Sequence, residues 1–205
     1  MFRVKLTAGD FRDLASAAVM TSGDKSRELL TGVLLEIEAN TIRAIATDSY
    51  RLVTIEREAV EVEGTGPALV PGDVLERAAK DAKKARAMEL VELVVDDYGV
   101  ITITGPRNEW VYGGSMVEGK YPDVKSLIPE ANGTKCEEGT VLAFNAFFLA
   151  DFPKLAPWCN LARGEKGGPV GAIRITAING HLRPIRLESS DGRTVIVIMP
   201  VQVTK

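Results

Sequence analysis

The stretch "RELLTGVLLEIEANTIRAIATDSYRL", residues 27–52, decides the fold. Within it "GVLLEIE" (32–38) and "TIRAIAT" (41–47) alternate apolar and polar side chains over part of their length and are separated only by Ala39-Asn40. A period of two marks strands with one face toward a core, and so short a polar link permits a hairpin and little else. A third run, "RLVTIE" (51–56), follows after Asp48-Ser49, so the three strands form an antiparallel meander. The second turn is unusually polar: Thr47-Asp48-Ser49-Tyr50-Arg51 sets an acid, two hydroxyls, a phenol and a guanidinium in succession.

Outward from this meander the same order of elements recurs three times. The first copy opens with the strand "FRVKL" (2–6), then "TAGD", where Thr7 or Asp10 is a candidate N-cap, then the helix "FRDLASAAVM" (11–20) ahead of the three strands. The second runs "ALV" (68–70), "PGD" with Asp73 as candidate cap, a long helix "VLERAAKDAKKARAM" (74–88), then "ELVELVV", "VITIT" and "EWVYGGSM". The third runs "TVLAF" (140–144), Asn145 as cap, the helix "AFFLADF" (146–152) stopped by Pro153, a Gly-rich loop, then "AIRITAI", "LRPIRLES" and "TVIVIMPV", with hairpin signals at Asn179-Gly180 and Asp191-Gly192. Residues 129–139, "PEANGTKCEEG", are polar and turn-rich and predict a linker. Repeated β-α-β-β-β units imply antiparallel sheets with helices on one face, the α+β class.

Composition narrows the function. At 205 residues and 45% hydrophobic the chain can build a substantial core, and a formal charge of −3 argues against coating nucleic acid or acidic membrane by bulk attraction. Two cysteines, Cys136 and Cys159, lack metal-site spacing and suit a reducing compartment. Neither a membrane-length apolar run nor a signal-peptide pattern occurs, which predicts a cytoplasmic protein. Catalysis has little support: the single histidine, His181, sits in a hairpin, "GEKGG" lacks phosphate-loop spacing, and Asp96-Asp97 and Glu137-Glu138 fall at turns. The expectation is a non-enzyme with no metal and no cofactor.

Three segments, "RELLTGVLLEIEANTIRAIATDSYRL", "GKYPDVKSLIP" (119–129) and "VIVIMPVQV" (195–203), resemble in order and spacing the bacterial DNA polymerase III beta subunit family, the replicative sliding clamps. The resemblance implies a DNA clamp fold, with a domain of two units over 1–130 similar to the family's middle domain and a half-domain of one unit over 136–205. The family's first domain has no counterpart here, a shortening that suits a phage or other mobile element. A family ring contains twelve such units, so four chains of three units would supply one.

The resemblance further implies a groove that docks short extended peptides of DNA polymerases and other clamp-binding proteins. It carries to Arg27, Leu30, Thr47, Ser49, Tyr50, Arg51 and Leu52, to Pro122 and Leu127, to Asn145 and Phe148, to Leu182 and Pro184, and to Val197, Met199, Pro200 and Val201. Ser49 and Tyr50 stand where the common pattern has glycine and histidine. The same residues also suit ordinary strand core with a polar hairpin. Weak, non-specific contact with duplex DNA is the second implied property. Arg77, Lys80 and Lys84 are spaced for one helix face, with Lys83 and Arg86 flanking and Lys25 and Arg27 in a loop; a solvated amphipathic helix reads the same way. A clamp loader and a homo-oligomer complete the implied partners, and a non-encircling adaptor or decoy for clamp-binding proteins is the alternative function.

Overall fold

The structure, a computed structural model, describes residues 1–131, 133–134, 142–155, 174–178, 183–189 and 192–201. Strand β1 (Phe2–Thr7) buries Phe2, Val4 and Leu6 and leaves Arg3 and Lys5 toward solvent, as its alternation dictates. Thr7 ends the strand and caps α1 (Ala8–Ala15), its hydroxyl accepting from the Asp10 amide at 3.1 Å. A 3₁₀ turn over Ser16–Met20 continues the helix. The meander follows as β2 (Gly32–Glu38), β3 (Thr41–Thr47) and β4 (Arg51–Glu58). Then come β5 (Glu61–Gly64), β6 (Gly66–Pro71), α2 (Gly72–Ala82), β7 (Leu90–Val95), β8 (Val100–Thr104) and β9 (Val111–Ser115). Beyond them lie β10 (Gly133–Thr134), α3 (Ala146–Ala150), β11 (Arg174–Ile178), β12 (Ile185–Glu188) and β13 (Thr194–Ile198).

The copies do not fold as separate units. Among the described residues one sheet has the order β5-β1-β7-β8-β9 and the other β10-β11-β12-β13-β4-β3-β2-β6. The first strand of copy one thus joins the strands of copy two, and the first strand of copy two joins those of copy one. Strand β13 then pairs antiparallel with β4, from Thr194 opposite Ile55 to Ile198 opposite Arg51, welding copy three to the meander. Helices α1 and α2 pack on each other and on the inner faces of both sheets. Phe11, Leu75, Leu93, Ile101 and Ile103 are fully buried there, each contributing about 1.5–3 kcal/mol through the apolar surface removed from water. One charged pair crosses this core: Arg57 on β4 donates to a single Asp13 carboxylate oxygen from Nε at 3.0 Å and Nη2 at 2.9 Å. Burial pushes the Asp13 carboxyl up, against the opposing pull of the Arg57 charge.

Several expectations need correction. Helix α2 stops at Ala82 rather than running to Met88, because the following chain is used elsewhere: the Ala87 and Glu89 carbonyls accept from the Gly9 and Ala8 amides at 2.9 and 2.7 Å, satisfying the first turn of α1. Asp73 does not cap α2; Pro71 occupies the N-cap and makes no side-chain bond there. Strand β5 was not foreseen. Residues 142–144 of "TVLAF" are not a strand, although Leu142 and Phe144 pack on the core. Within the predicted linker, Gly133–Thr134 pairs parallel with β11, the exception to antiparallel order among the described residues. Cys136, Glu137-Glu138, Trp158, Cys159, the "GEKGG" loop, Asn179-Gly180, His181, Leu182 and Asp191 lie outside the described residues.

A second apolar cluster covers the opposite face of the larger sheet. Ile45, Leu52, Leu69, Val195 and Val197 project there, and the segment after β9 folds back to lay Tyr121 and Val124 over them, with Leu29, Leu30, Leu34 and Ile128 around the edge.

Candidate functional site

The polar run 47–51 is first of all a turn that ties itself. The Asp48 carboxylate accepts from the Tyr50 and Arg51 amides at 2.9 and 3.0 Å, and the Thr47 hydroxyl accepts from the Ser49 amide at 3.1 Å while donating to the Arg51 carbonyl at 2.7 Å. Ser49 sits at φ +79°, in the left-handed region a tight turn requires, and its hydroxyl receives Arg27 Nη1 at 3.2 Å. That locking aims Tyr50 and Arg51 outward at α3.

Arg51 is only 8% exposed and spends its donors across this junction. Nε pairs with Asp48 at 2.8 Å, and Nη1 reaches Asp151 at 2.7 Å and the Phe148 carbonyl at 3.1 Å. The guanidinium also lies 4.8 Å from the Phe148 ring centre, and the Tyr50 ring stacks on the same ring at 5.6 Å. Asn145 caps α3, accepting from the Phe147 amide at 3.0 Å, which fixes the helix that carries Phe148 and Asp151. Burial works to raise the Asp151 carboxyl, but hydrogen bonds from Lys154 and Arg51 outweigh it and hold the group below the usual carboxylate range.

The chain leaving β13 completes the wall. Met199 donates its amide to the Tyr50 carbonyl and Val201 donates to the Ala143 carbonyl, both at 2.9 Å, so residues 199–201 are strung between the turn and the segment before α3. Pro200 is buried between them, while Met199 and Val201 keep 37% and 41% of their surface open. Leu52 and Val197 lie side by side in the β4–β13 register and form the apolar floor, with Leu30 half-buried beside them. Tyr121 closes the floor from the far side, and burial raises its phenol to about 12, so it stays neutral. Pro122 and Leu127 are exposed on the segment that Tyr121 and Val124 anchor over this face, and Pro184 is half-buried ahead of β12. The arrangement offers an apolar surface rimmed by exposed Met199, Val201 and Tyr50, suited to two hydrophobic anchors of an extended chain.

Sequence reasoning passed over Asp48, Asp151 and Tyr121. Asp48 was legible as a turn acid; Asp151 and Tyr121 matter only through contacts that the fold creates.

The basic residues are less concentrated than their spacing suggests. Arg77 pairs with Asp73 at 3.0 Å and Lys84 with Asp81 at 2.6 Å, and Lys83, Lys84 and Arg86 lie beyond the last turn of α2 instead of on its face. Arg27 bonds Ser49 and lies 3.6 Å from Asp24. Lys25, Lys80 and Lys83 are exposed with no ion pair among the described residues. No metal-holding cluster of His, Cys, Asp and Glu occurs among the described residues, and no described helix is long and apolar enough to cross a membrane.

A family model described as "DNA polymerase III beta subunit, central domain" matches residues 10–123. The chain belongs to the DNA polymerase III beta subunit family. Among curated relatives, the beta sliding clamp of Pseudomonas putida is 29% identical over 112 residues, 51% of this chain and 27% of the relative. That of Vibrio cholerae is 25% identical over 148 residues, 66% of this chain and 37% of the relative. The chain thus spans about a quarter to two-fifths of those relatives' length. In fold it is similar to the Bacillus subtilis DNA polymerase sliding clamp, with TM-score 0.70 and 19% identity over 98% of this chain and 64% of that one. It is also similar to the Bartonella birtlesii sliding clamp bound to griselimycin, with TM-score 0.76 and 16% identity over 98% and 66%. The clamp fold of the α+β class is therefore the fold of this member of the beta subunit family.

Proposed function

We propose that this beta subunit family member is a non-enzymatic, clamp-like processivity factor whose groove docks short extended peptides of a DNA polymerase and of other clamp-binding proteins. The observation that carries the reading is the junction of β4, α3 and the chain after β13, where Arg51 pairs with Asp151, Tyr50 stacks on Phe148, and Met199, bonded to Tyr50, and Val201 stay exposed beside them. The groove residues are Arg27, Leu30, Thr47, Ser49, Tyr50, Arg51, Leu52, Pro122, Leu127, Asn145, Phe148, Leu182, Pro184, Val197, Met199, Pro200 and Val201. Arg51 acts by shaping the wall, its Nε and Nη1 already engaged, and Asn145 by capping α3 through Oδ1. The same reading divides the chain into a middle-type domain over 1–130 and a half-domain over 136–205, and assigns a loader and a homo-oligomer as partners of an encircling clamp.

A second reading, a peptide-binding adaptor that never encircles DNA, is favoured by the paired state of Arg77 and Lys84. Primer extension on a long singly primed template separates the two. A processivity factor lengthens the products made by its cognate polymerase, and the charge reversals Lys80→Glu and Lys83→Glu shorten them again and weaken the salt-dependent contact with duplex. An adaptor binds the polymerase peptide yet leaves product length unchanged, and that result overturns the clamp reading.

A further inference from the structure

We infer that the outer face of α3 docks against the α3 of a second copy of this chain across a two-fold axis, so that two third units cover each other as the first and second units do within one chain. Those first two units supply the template. Their helices α1 and α2 pack on each other, and their leading strands cross, β1 joining β7 and β6 joining β2.

Counted from the N-caps Thr7, Pro71 and Asn145, the three helices match position by position. The first residue after the cap is Ala8, Gly72 or Ala146, and the fourth is Phe11, Leu75 or Leu149. Ala8 and Gly72 are buried, and Phe11 and Leu75 are 1% and 2% exposed. Ala146 is exposed, and Leu149 keeps 40% of its surface open. The seventh residue, Phe152, is buried as Leu14 and Ala78 are, so α3 holds the common register and is open on the side that is covered in its counterparts. The segments ahead of the helices differ in the same sense. Val4 and Leu6, and Ala68 and Val70, are buried in the crossed strands. Leu142 and Phe144 at the equivalent places are half-buried, and 142–144 forms no ladder.

The first two units are already spent on each other, and only residues 129–139 separate the second from the third, so no further unit lies between them to serve as the mate. Charge selects a second copy for that role. The open face consists of Ala146, Phe147, Leu149 and Ala150, none of them charged, and Phe147 at 82% exposure extends the apolar surface where α1 and α2 have Gly9 and Asp73. The exposed positions of α2, in contrast, carry Asp73, Glu76, Arg77 and Lys80. Beside α3 the charges of Asp151 and Lys154 are paired with each other, and Asp151 also with Arg51. An uncharged apolar face meets its own image without like-charge repulsion, and a two-fold axis over α3 sets Leu149 against the partner's Leu149 with a Phe147 ring on either rim.

The test is the mass of the full chain by sedimentation or light scattering, with hydrogen exchange at single amides. A helix pair this short is at the low end of interface size, so the pair should form at about one to several hundred micromolar. The mass should rise from 22.1 kDa toward about 44 kDa, twice the chain. The Phe148 and Leu149 amides, which donate to the Asn145 carbonyl at 3.0 and 3.4 Å, should exchange more slowly as the pair forms, because so short a helix is held by what packs on it. Leu149→Glu buries two facing carboxylates, and Phe147→Glu puts like charges on the rim; each should weaken the pair by about ten-fold or more. Both side chains are exposed in the free chain, so the fold should survive, and thermal melting checks this. Neither lines the proposed groove, so a lost pair and a lost peptide site are read separately. A monomer at the highest soluble concentration overturns the proposal, as does a pair that persists in both variants or one that leaves the exchange of the α3 amides unchanged.

Discussion

Replacing Arg51 by alanine should be among the most damaging single changes to the groove. The guanidinium joins β4 to α3 through Asp48, Asp151 and the Phe148 carbonyl; Lys154 also pairs with Asp151, but from the same segment, so it ties nothing to β4. Breaking a buried pair from one side typically costs about 3–5 kcal/mol because a charge is left without its partner. Here the acids keep some access to water, with Asp48 at 13% and Asp151 at 21% side-chain exposure, and Asp151 keeps Lys154, so the cost should fall to about 2–3 kcal/mol. Denaturant unfolding of the parent, Arg51→Ala, Asp151→Asn and the double variant measures it. The double variant should lose less than the sum of the singles, since both changes remove the same Arg51–Asp151 contact. A cost under about 0.5 kcal/mol, the size of an ordinary surface substitution, would refute the bracket.

Other expectations follow from the same contacts. The Asp151 carboxyl is held below its usual range, so its contribution is complete above about pH 5, where the unfolded group is ionised, and fades as pH falls through the folded value. Tyr50 fluorescence should report α3 loosening in that acidic window, and a signal flat to pH 2 or so would contradict it. Asp13→Ala leaves Arg57 in the core with Asp10 at 3.7 Å as its nearest remaining acid and should cost about 3 kcal/mol, read by urea unfolding. Gly105→Ala would place a Cβ 2.1 Å from the Trp110 ring, so the indole must leave its seat on the glycine. A loss of about 1–3 kcal/mol together with a changed tryptophan emission is expected, and unchanged emission would place Trp110 elsewhere.

Strand order was legible because the partial alternation in "GVLLEIE" and "TIRAIAT" and the short turns between the runs mark a meander. What alternation does not carry is the partner of each strand. The crossing of β1 and β6 into each other's sheets follows from packing α1 against α2, a contact between residues far apart in sequence. The end of α2 was hidden for a similar reason, since "KKARAM" is good helical sequence and only the demand of α1 for acceptors at Ala87 and Glu89 pulls the chain out of the helix. Strand β5 has too little apolar content to announce itself and exists through its pairing with β1. The "TDSYRL" and "VIMPV" segments do meet, as Met199 bonded to Tyr50 shows. The role of the polar turn was only half legible: its acid and hydroxyls hold the turn, and the aromatic and basic residues reach α3.

Peptide titration is the most direct test of the central claim that the β4–α3 junction is a docking groove. A short peptide with a glutamine and two hydrophobic anchors, followed by calorimetry against the parent and a melting-checked Met199→Ala, is the measurement. The parent should bind in the micromolar range, about −8 kcal/mol, and the variant should lose about 1 kcal/mol, since Met199 is already partly covered before any ligand arrives. Equal affinity in two well-folded proteins, or no binding to the parent, would make the junction architecture alone.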